Sequence, residues 1–318
     1  MPPRLRPSPA PFRLLVRYYS AASSSSAEPL IRVTNLPAST NGHIRVLELN
    51  RPDARNAISR ALLTSLRAQV DDLAAQYGPG GEETAHARAQ QDGPTRALVI
   101  ASAVDSSFCA GADLKERRGF TQDETAHFLA NLRGTLSALS GLQVPTISAI
   151  ASLALGGGLE LALSTHFRVL ASTAAVGLPE TRLGIIPGAG GTFRLPALIG
   201  LPRARDLILT GRRVAAPEAH FLGIADRLVE VVPEDERDAA DQGGILAQAR
   251  RVTLAEAVRL AQEICEGGPV AIRAALHAVA WAREDKEGEM YERVVATEDR
   301  NEALAAFADK RKPVFKGR

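Results

Sequence analysis

Two glutamates beside glycine-rich turns, Glu160 and Glu180, are the side chains of this sequence best suited to proton chemistry. Glu160 follows a short apolar segment and three glycines, and strong helix formers come after it. Glu180 follows a proline in an apolar segment, where burial would raise the pKa of its carboxyl group. A carboxyl group with a raised pKa can give and take a proton near neutral pH. The alternatives are a helix-capping role for Glu160 and a surface position in a structural turn for Glu180.

Backbone N–H groups are the second chemical resource of these segments. The run Gly156–Gly158 predicts a bare helix N-terminus at its second or third glycine, with Glu160 in the first turn. Unpaired N–H groups and the positive end of the helix dipole favour a developing negative charge, such as an enolate oxygen. The small residues Ala110–Ala112 form another turn that can aim an N–H at a ligand oxygen. The alternative for that turn is a tight connection before a helix capped by Asp113.

A third glycine-rich loop follows Glu180, and its Gly188 can present a further N–H to a water molecule. This loop does not match a nucleotide-binding loop, because Phe193 stands where a third glycine would be required and no Lys-Ser or Lys-Thr pair follows. The sequence also lacks a Gly-x-Ser-x-Gly nucleophile turn, and its 6 histidines have no metal-ligand spacing. We therefore expect chemistry that uses carboxylates and backbone N–H groups, without a metal.

The elements that must position these residues are strands and helices in alternation up to about residue 235, and helices alone after it. The predicted strands cover 43–49, 97–101, 144–150, 167–171 and 225–232, and the predicted helices cover 56–75, 254–265, 269–283 and 288–307, the last with a break near Thr297. The polar stretch Gly78 to Thr95 is predicted to be a surface excursion able to alter the mouth of a site. These patterns indicate the α/β class.

The composition, with 45% hydrophobic and 23% charged residues, is typical of a soluble globular protein. A net charge of +2 gives no argument for a nucleic-acid or membrane partner. No apolar run approaches the ~20 residues of a spanning helix. Cys109 and Cys265 are far apart and form neither a disulfide framework nor a metal motif, which favours a reducing compartment.

The segment Met1 to Ala27 differs from the rest of the chain, because it is rich in arginine and serine and contains no acidic residue. Such a segment is typical of a mitochondrial transit peptide, and Arg17 lies at the position that predicts cleavage after Tyr19. The alternative is a disordered basic tail. We predict that the protein is located in the mitochondrial matrix.

Four motifs, taken in chain order, resemble the enoyl-CoA hydratase/isomerase (crotonase) family: Leu49–Ala57, Phe108–Asp113, Gly156–Glu160 and Pro179–Thr192. The resemblance implies an α/β fold built as a crotonase-like spiral of ββα units over residues 31–235. A helical C-terminal region that mediates trimerisation is implied over residues 250–318, with assembly as a homotrimer or a dimer of trimers. No cofactor is implied, because coenzyme A is part of the substrate.

The resemblance also implies roles for individual residues. The N–H groups of Ala112 and Gly157 would form the oxyanion hole. Glu160 would activate a water molecule for attack on the β-carbon, Glu180 would protonate the α-carbon, and Gly188 matches a backbone group near that water. The implied contacts with coenzyme A are Ala54, Arg55, Asn56, Ala110, Asp113, Leu114 and Lys115. The two cations among these contacts suit phosphate groups.

Three segments, 108–117, 155–163 and 307–317, are most similar to the family's 3-methylglutaconyl-CoA hydratases. They imply hydration of that thioester to 3-hydroxy-3-methylglutaryl-CoA in leucine degradation. The alternative is a general short-chain enoyl-CoA hydratase of fatty-acid β-oxidation. Arg182 is a candidate cation for the substrate carboxylate, with a plain surface position as its alternative.

A second class of function, RNA binding, is disfavoured by the predicted helix over residues 59–76. In the resembled group, the animal form binds AU-rich RNA through a lysine-rich helix, whereas this helix has Arg60 and Arg67 and no lysine. Asp71 and Asp72 oppose the two arginines, and affinity for RNA requires several phosphate contacts.

Overall fold

The computed structural model describes residues 28–233 and 242–318. The predicted transit peptide, Met1 to Ala27, lies outside the described residues. Within them, no helix combines the length and the apolar character that crossing a membrane requires.

Ten strands in the described ranges form two sheets. They are β1 Ile31–Pro37, β2 His43–Leu49, β3 Thr95–Ser102, β4 Ser107–Cys109, β5 Thr146–Ile150, β6 Leu153–Leu155, β7 Phe167–Ala171, β8 Ala175–Gly177, β9 Arg213–Ala215 and β10 Arg227–Val229. One sheet has the order β1-β2-β3-β5-β7-β10, and the other has the order β4-β6-β8-β9. The pairs β1–β2 and β8–β9 are antiparallel, and the other pairs are parallel.

Several helices begin at a residue whose side chain accepts a hydrogen bond from the first turn, and others begin at glycine or without a capping side chain. The helices are α1 Arg60–Ala74, α2 Ala85–Arg88, α3 Leu114–Arg117, α4 Gln122–Ser140, α5 Gly157–Leu163, α6 Gly191–Ile199, α7 Leu201–Thr210, α8 Ala216–Leu222, α9 Gln242–Ile264, α10 Pro269–Trp281, α11 Glu284–Val295 and α12 Glu298–Asp309, with short 3-10 turns at Pro52–Ala54 and Glu180–Leu183. Thr121 and Glu124 form a capping box at α4. Thr297 caps α12, so the predicted break near this residue is a new helix start.

The chain forms a spiral, because three successive strand pairs each place one strand in each sheet. β3, β5 and β7 join the six-stranded sheet, while β4, β6 and β8 join the four-stranded sheet. A helix or a 3-10 turn follows each pair before the chain crosses to the next parallel strand. The predicted spiral of ββα units with a helical C-terminal region is therefore confirmed. Because β4, β6 and β8 are parallel neighbours, the turns at their carboxyl ends lie at one edge of the sheet.

The six-stranded sheet is buried on both faces, as parallel sheets generally are. Leu47 and Leu49 of β2 belong to a core that contains residues of α1 and α4, including Leu62 and Leu136. Alternate residues of the same strands, such as Val46, face a second core that is completed by α9. Helix α9 supplies Ala257, Val258, Leu260 and Ala261 to that core.

The segment Gly78 to Thr95 contacts the C-terminal helices. The Nε group of Arg273 on α10 donates to the Gly81 carbonyl at 2.8 Å, and the Nη1 group of Arg293 on α11 donates to the Gly80 carbonyl at 2.9 Å. The segment therefore joins the spiral to the C-terminal region.

Candidate active site

The turns that follow β4, β6 and β8 border a cavity of about 470 Å³. The three segments that the sequence singled out all contribute to it, since its lining includes Ala110, Gly111, Ala112, Gly156, Gly157, Glu160, Glu180 and Gly188. Apolar side chains from α4 and from the loop after Glu180 complete much of the wall, among them Leu129, Leu132, Leu183, Ile185 and Ile186. No residue of the Gly78–Thr95 segment lines this cavity. An effect of this segment on the mouth of the site stays a prediction.

The predicted oxyanion donors, Ala112 and Gly157, are neighbours at the cavity wall. A Cβ atom placed on Gly157 would lie 3.6 Å from the Ala112 nitrogen, and one placed on Gly111 would lie 3.4 Å from the Gly157 nitrogen. Ile58 forms an isolated parallel β-bridge with Ala112. The Ile58 N–H donates to the Gly111 carbonyl at 2.7 Å, and the Asp113 N–H donates to the Ile58 carbonyl at 3.1 Å, so the two bonds lie on either side of Ala112. In a parallel bridge, the N–H of the middle residue points away from the partner strand. The two N–H groups are therefore near neighbours, and their joint binding of one ligand oxygen stays a prediction.

Close approach of the backbone explains the glycine run before α5. Gly156 has a φ of +53°, in the left-handed region, and a Cβ atom there would lie 2.9 Å from Glu180 Oε1. A Cβ atom on Gly158 would overlap the carbonyl of Cys109 at the end of β4. Glycine at both positions brings the N-terminus of α5 against β4 and against Glu180.

Glu160 lies in the first turn of α5 and is only 2% exposed. Its Oε1 atom accepts hydrogen bonds from the Ala189 N–H at 2.7 Å and the Gly191 N–H at 2.9 Å. Ala189 lies in the loop before α6 and Gly191 is the first residue of α6, so Glu160 binds N–H groups outside its own helix. Burial raises the pKa of Glu160, while the Gly191 and Ala189 N–H groups and then Arg194 oppose the rise. The carboxylate form of Glu160 is therefore stabilised by two backbone N–H groups that both bind Oε1, and Oε2 takes no part in these two bonds.

Glu180 is 8% exposed and begins a 3-10 turn, which excludes a surface position for this acid. Burial, together with the nearby charge of Glu160, raises the pKa of Glu180 to about 7, against the effect of its own backbone N–H. Its Oε2 atom is buried and has no hydrogen-bond partner among the described residues. The pair thus combines a carboxylate stabilised by backbone donors with a carboxyl group whose raised pKa keeps a substantial fraction of it protonated at neutral pH, a pattern that separates base from acid.

Sequence reasoning missed the residues that hold Glu160. Gly188 was the predicted water-positioning residue and does line the cavity, but its carbonyl accepts from Arg133 Nε at 2.6 Å. The donors to Glu160 come from Ala189 and Gly191, just beyond it. The glycine-rich loop was a signal for Gly191, because a Cβ atom there would lie 3.2 Å from Glu160 Oε1. Arg133 lies within the long helix α4, where no motif marks it.

Two of the predicted coenzyme A contacts, Ala110 and Leu114, line the cavity. Ala54, Arg55 and Lys115 lie outside its lining, although the Arg55 carbonyl accepts from the Ala110 N–H at 3.1 Å and so lies next to it. The Arg55 and Lys115 side chains are exposed. Their contact with a ligand stays a prediction.

The other two predicted contacts, Asn56 and Asp113, have side chains committed to the protein. Asn56 is fully buried, and its Nδ2 group donates to Ser102 Oγ at 2.8 Å and to the Phe108 carbonyl at 3.0 Å. Asp113 caps α3, as its alternative interpretation proposed, and its carboxylate also pairs with Arg51 at 2.7 Å. In this structure both side chains shape the turns beside the cavity.

Arg182, the candidate partner of a substrate carboxylate, is exposed and lies outside the cavity lining. Its Nε group donates to the Thr210 carbonyl at 2.7 Å. The interpretation of Arg182 as a surface arginine therefore fits the structure.

A spiral of ββα units that brings two buried carboxyl groups next to neighbouring backbone N–H groups is the arrangement of an enzyme that transfers protons. Comparison with known proteins agrees with this class. Residues 82–318 match the model of the enoyl-CoA hydratase/isomerase family. The chain belongs to this family, and it is an enzyme of the hydratase type.

Individual relatives cover nearly the whole chain. It is 67% identical to "Methylglutaconyl-CoA hydratase 1, mitochondrial" of Pyricularia oryzae, over 95% of this chain and 90% of that protein. It is 56% identical to an enoyl-CoA isomerase/hydratase of Zymoseptoria tritici, over 93% of this chain and 91% of that protein. The crystal structure of an enoyl-CoA hydratase from Bacillus anthracis superposes with a TM-score of 0.74 at 35% identity, covering 90% of this chain and 99% of that one. The first of these names agrees with the predicted mitochondrial location.

Proposed function

We propose that this enzyme adds water to 3-methylglutaconyl-CoA in the mitochondrial matrix and forms 3-hydroxy-3-methylglutaryl-CoA. The observation that carries the proposal is a pair of buried carboxyl groups next to two backbone N–H donors. Glu160 accepts two backbone hydrogen bonds, whereas Glu180 has a buried oxygen with no partner among the described residues. The name of the Pyricularia oryzae relative supports the choice of substrate. A general short-chain enoyl-CoA hydratase is the second candidate, favoured by the largely apolar wall of the cavity.

In the proposed reaction, the Ala112 and Gly157 N–H groups bind the thioester oxygen and stabilise the enolate that forms during attack. One such donor typically contributes ~3–4 kcal/mol to transition-state stabilisation. Glu160 takes a proton from water as the oxygen bonds to the β-carbon, and Glu180 gives its proton to the α-carbon. The two carboxyl groups exchange protonation states in each turnover, and a proton transfer through solvent restores them.

The substrate's coenzyme A portion supplies the thioester, and no separate cofactor enters this scheme. We place its contacts at Ala110 and Leu114 on the cavity wall, with the exposed cations Arg55 and Lys115 next to its phosphates. Ala54 adjoins Arg55 in the same turn.

Assembly as a homotrimer or a dimer of trimers is part of the proposal. Support comes from large apolar side chains that the C-terminal helices leave exposed in the single chain, namely Val279, Trp281, Tyr291, Leu304 and Phe307. Helices α10 and α11 also enclose an apolar groove of about 370 Å³. Such a surface is typical of a subunit interface.

RNA binding is not part of the proposal. Both arginines of α1 are paired with acids, Arg60 with Glu124 at 2.9 Å and Arg67 with Asp71 at 2.7 Å. Asp72 of the same helix pairs with Arg45 and His86. Few cations of this helix are left for phosphate contacts.

The test is to measure hydration kinetics of the chain from Ser20 onward with 3-methylglutaconyl-CoA and with crotonyl-CoA. The proposal predicts a higher kcat/KM for the branched, acidic substrate. A preference for crotonyl-CoA would instead assign the enzyme to general β-oxidation. Activity on neither substrate would overturn hydration as the reaction.

A further inference from the structure

Arg133 is a cation that lines the cavity without an acidic partner among residues 28–233 and 242–318. It lies on α4 one helical turn after Leu129, which faces the same cavity. Its Nε group donates to the Gly188 carbonyl at 2.6 Å. A guanidinium group has five N–H donors, so this bond leaves both terminal nitrogens for a ligand.

Arg133 is not the main group that stabilises the charge of Glu160. The Gly191 and Ala189 N–H groups and then Arg194 lower the pKa of Glu160 more than Arg133 does. Arg194 is also fixed in place by its bond from Nη1 to the Ala189 carbonyl at 2.9 Å. The charge of Arg133 is therefore available to an anion that enters the cavity.

A second cation of the lining, Arg117, is placed differently. It lies on α3 with Leu114 and Lys115, the predicted contacts of coenzyme A, and its guanidinium is 5.7 Å from the centre of the Phe128 ring. That position suits the phosphates of coenzyme A better than the acyl group. Arg133 is the cation of the cavity lining that lies next to the segment whose N–H groups bind Glu160.

The chemistry of the proposed substrate connects these observations. In 3-methylglutaconyl-CoA, a single methylene separates the β-carbon from a terminal carboxylate. The β-carbon must lie near the water that Glu160 activates. Glu160 is held by Ala189 and Gly191, and Arg133 lies against the adjoining Gly188. We infer that Arg133 determines specificity by binding the carboxylate that terminates the acyl group, an inference that rests on the proposed function.

Such a contact also has an electrostatic purpose. A substrate carboxylate two carbon atoms away from the reacting centre would repel the carboxylate of Glu160, which is only 2% exposed. A guanidinium bound to the substrate carboxylate offsets this repulsion and fixes the orientation of the acyl group through two parallel hydrogen bonds. A neutral acyl group would gain neither effect.

The experiment compares Arg133→Gln and Arg133→Lys with the wild-type enzyme on three thioesters: 3-methylglutaconyl-CoA, its terminal amide and crotonyl-CoA. For Arg133→Gln, we expect kcat/KM for the acid to fall by about 30-fold or more, because a hydrogen-bonded charge pair is lost. Crotonyl-CoA hydration should fall much less, by under about fivefold, since only the bond to Gly188 is lost. Arg133→Lys should recover part of the preference for the acid, because the charge is retained without the planar fork.

Arg182→Gln is the matched control. Arg182 is also an exposed arginine whose Nε group binds one backbone carbonyl, but it lies outside the cavity lining. Its replacement should change all three substrates by the same factor. Crotonyl-CoA turnover by each variant reports that the protein is folded.

The outcomes separate the inference from the function on which it rests. Equal losses on the acid and on crotonyl-CoA in Arg133→Gln would show that Arg133 only supports the Gly188 loop, and would overturn the inference alone. The inference would also be overturned if the wild-type enzyme prefers the acid to its amide and Arg133→Gln retains that preference. A wild-type enzyme that does not hydrate 3-methylglutaconyl-CoA would overturn the proposed function itself.

Discussion

At the scale of single residues, two chemically identical carboxyl groups differ because of their surroundings. Glu160 has two backbone donors on one oxygen, whereas Glu180 has a buried oxygen with no partner among the described residues. The sequence allowed both glutamates to be selected, because each follows a glycine or proline signal in an apolar segment. The sequence did not reveal which carboxyl group would accept hydrogen bonds from the backbone. The donors to Glu160, the N–H groups of Ala189 and Gly191, are distant in sequence and are placed next to α5 by the fold.

We expect Glu160→Gln and Glu180→Gln each to lower the rate of hydration at least about a hundredfold, because each removes one of the two proton transfers. An amide can neither accept the proton of water nor deliver one to carbon. Steady-state kinetics on the preferred thioester measure the loss, and thermal unfolding checks that the fold is intact. Near-wild-type turnover in either folded variant would disprove the assigned roles.

The pH dependence of hydration should reflect the proton on Glu180. Burial first, and then the charge of Glu160, raise the pKa of Glu180 to about 7, so this acid loses its proton as the pH rises through neutrality. Since the reaction needs the protonated form, kcat/KM should fall above pH 7, approaching about tenfold per pH unit. A profile measured from pH 5 to pH 9 tests this expectation. A flat profile up to pH 9 would contradict the role of Glu180 as the acid.

At the scale of elements, period-two and helical patterns predicted five strands of the six-stranded sheet, α1 and the C-terminal helices, but they did not predict α4 or α6 beside the site. β2 and β7 match their predicted bounds, and α1 falls within its predicted range. The short strands β4, β6, β8 and β9 were not predicted, because three residues are too few to display a period. Those strands form the sheet that carries the active-site turns. The motifs around Ala112 and Gly157 therefore indicated the site before the element pattern could.

The turn over residues 54–58 depends on a single buried amide. Asn56 has a φ of +56°, accepts from the Arg51 N–H at 2.7 Å and donates to the end of β4. Its position beside a family motif led to the prediction of a ligand contact. A buried structural role cannot be distinguished from ligand binding by residue type alone, because both require an amide at a fixed place.

Replacement of Asn56 by alanine should lower the free energy of unfolding by about 2–4 kcal/mol, because buried partners lose their hydrogen bonds and alanine tolerates a positive φ poorly. Asn35→Ala is the control, since Asn35 is exposed and its Nδ2 group makes one bond to Asp92 at 3.0 Å. We expect the control to change stability by less than about 0.5 kcal/mol. Chemical denaturation measures both variants. Equal stability of the two would contradict the structural role of Asn56.

At the scale of the whole molecule, the C-terminal helices combine a buried side with an exposed apolar side. Phe307 on α12 is 87% exposed in the single chain, although it is a large aromatic residue. Helical periodicity predicted these helices, but the surface that each presents depends on how α10 and α11 pack against each other. The sequence therefore indicated helices and left their outward faces undetermined.

We expect light scattering to give a molar mass of three or six chains in solution. Phe307→Asp should shift the population towards smaller species, because a charge would be buried at the proposed interface. Phe221→Asp serves as the control, since Phe221 is equally prominent on α8, outside the C-terminal helices. A wild-type protein that is monomeric at micromolar concentration would rule out the proposed assembly.

The position of α9 in the chain has a consequence for how the protein is made. In the described part of the chain, much of the cover over one face of the six-stranded sheet, with Val46, Val99 and Ile147, comes from residues Leu254 to Cys265 of the C-terminal region. During synthesis all the strands of that sheet leave the ribosome before their cover does. A nascent chain that has already paired its strands therefore presents a continuous apolar surface to the cell until the last fifth of the protein emerges. Premature termination before Leu254 would leave this surface without the cover that the end of α9 supplies.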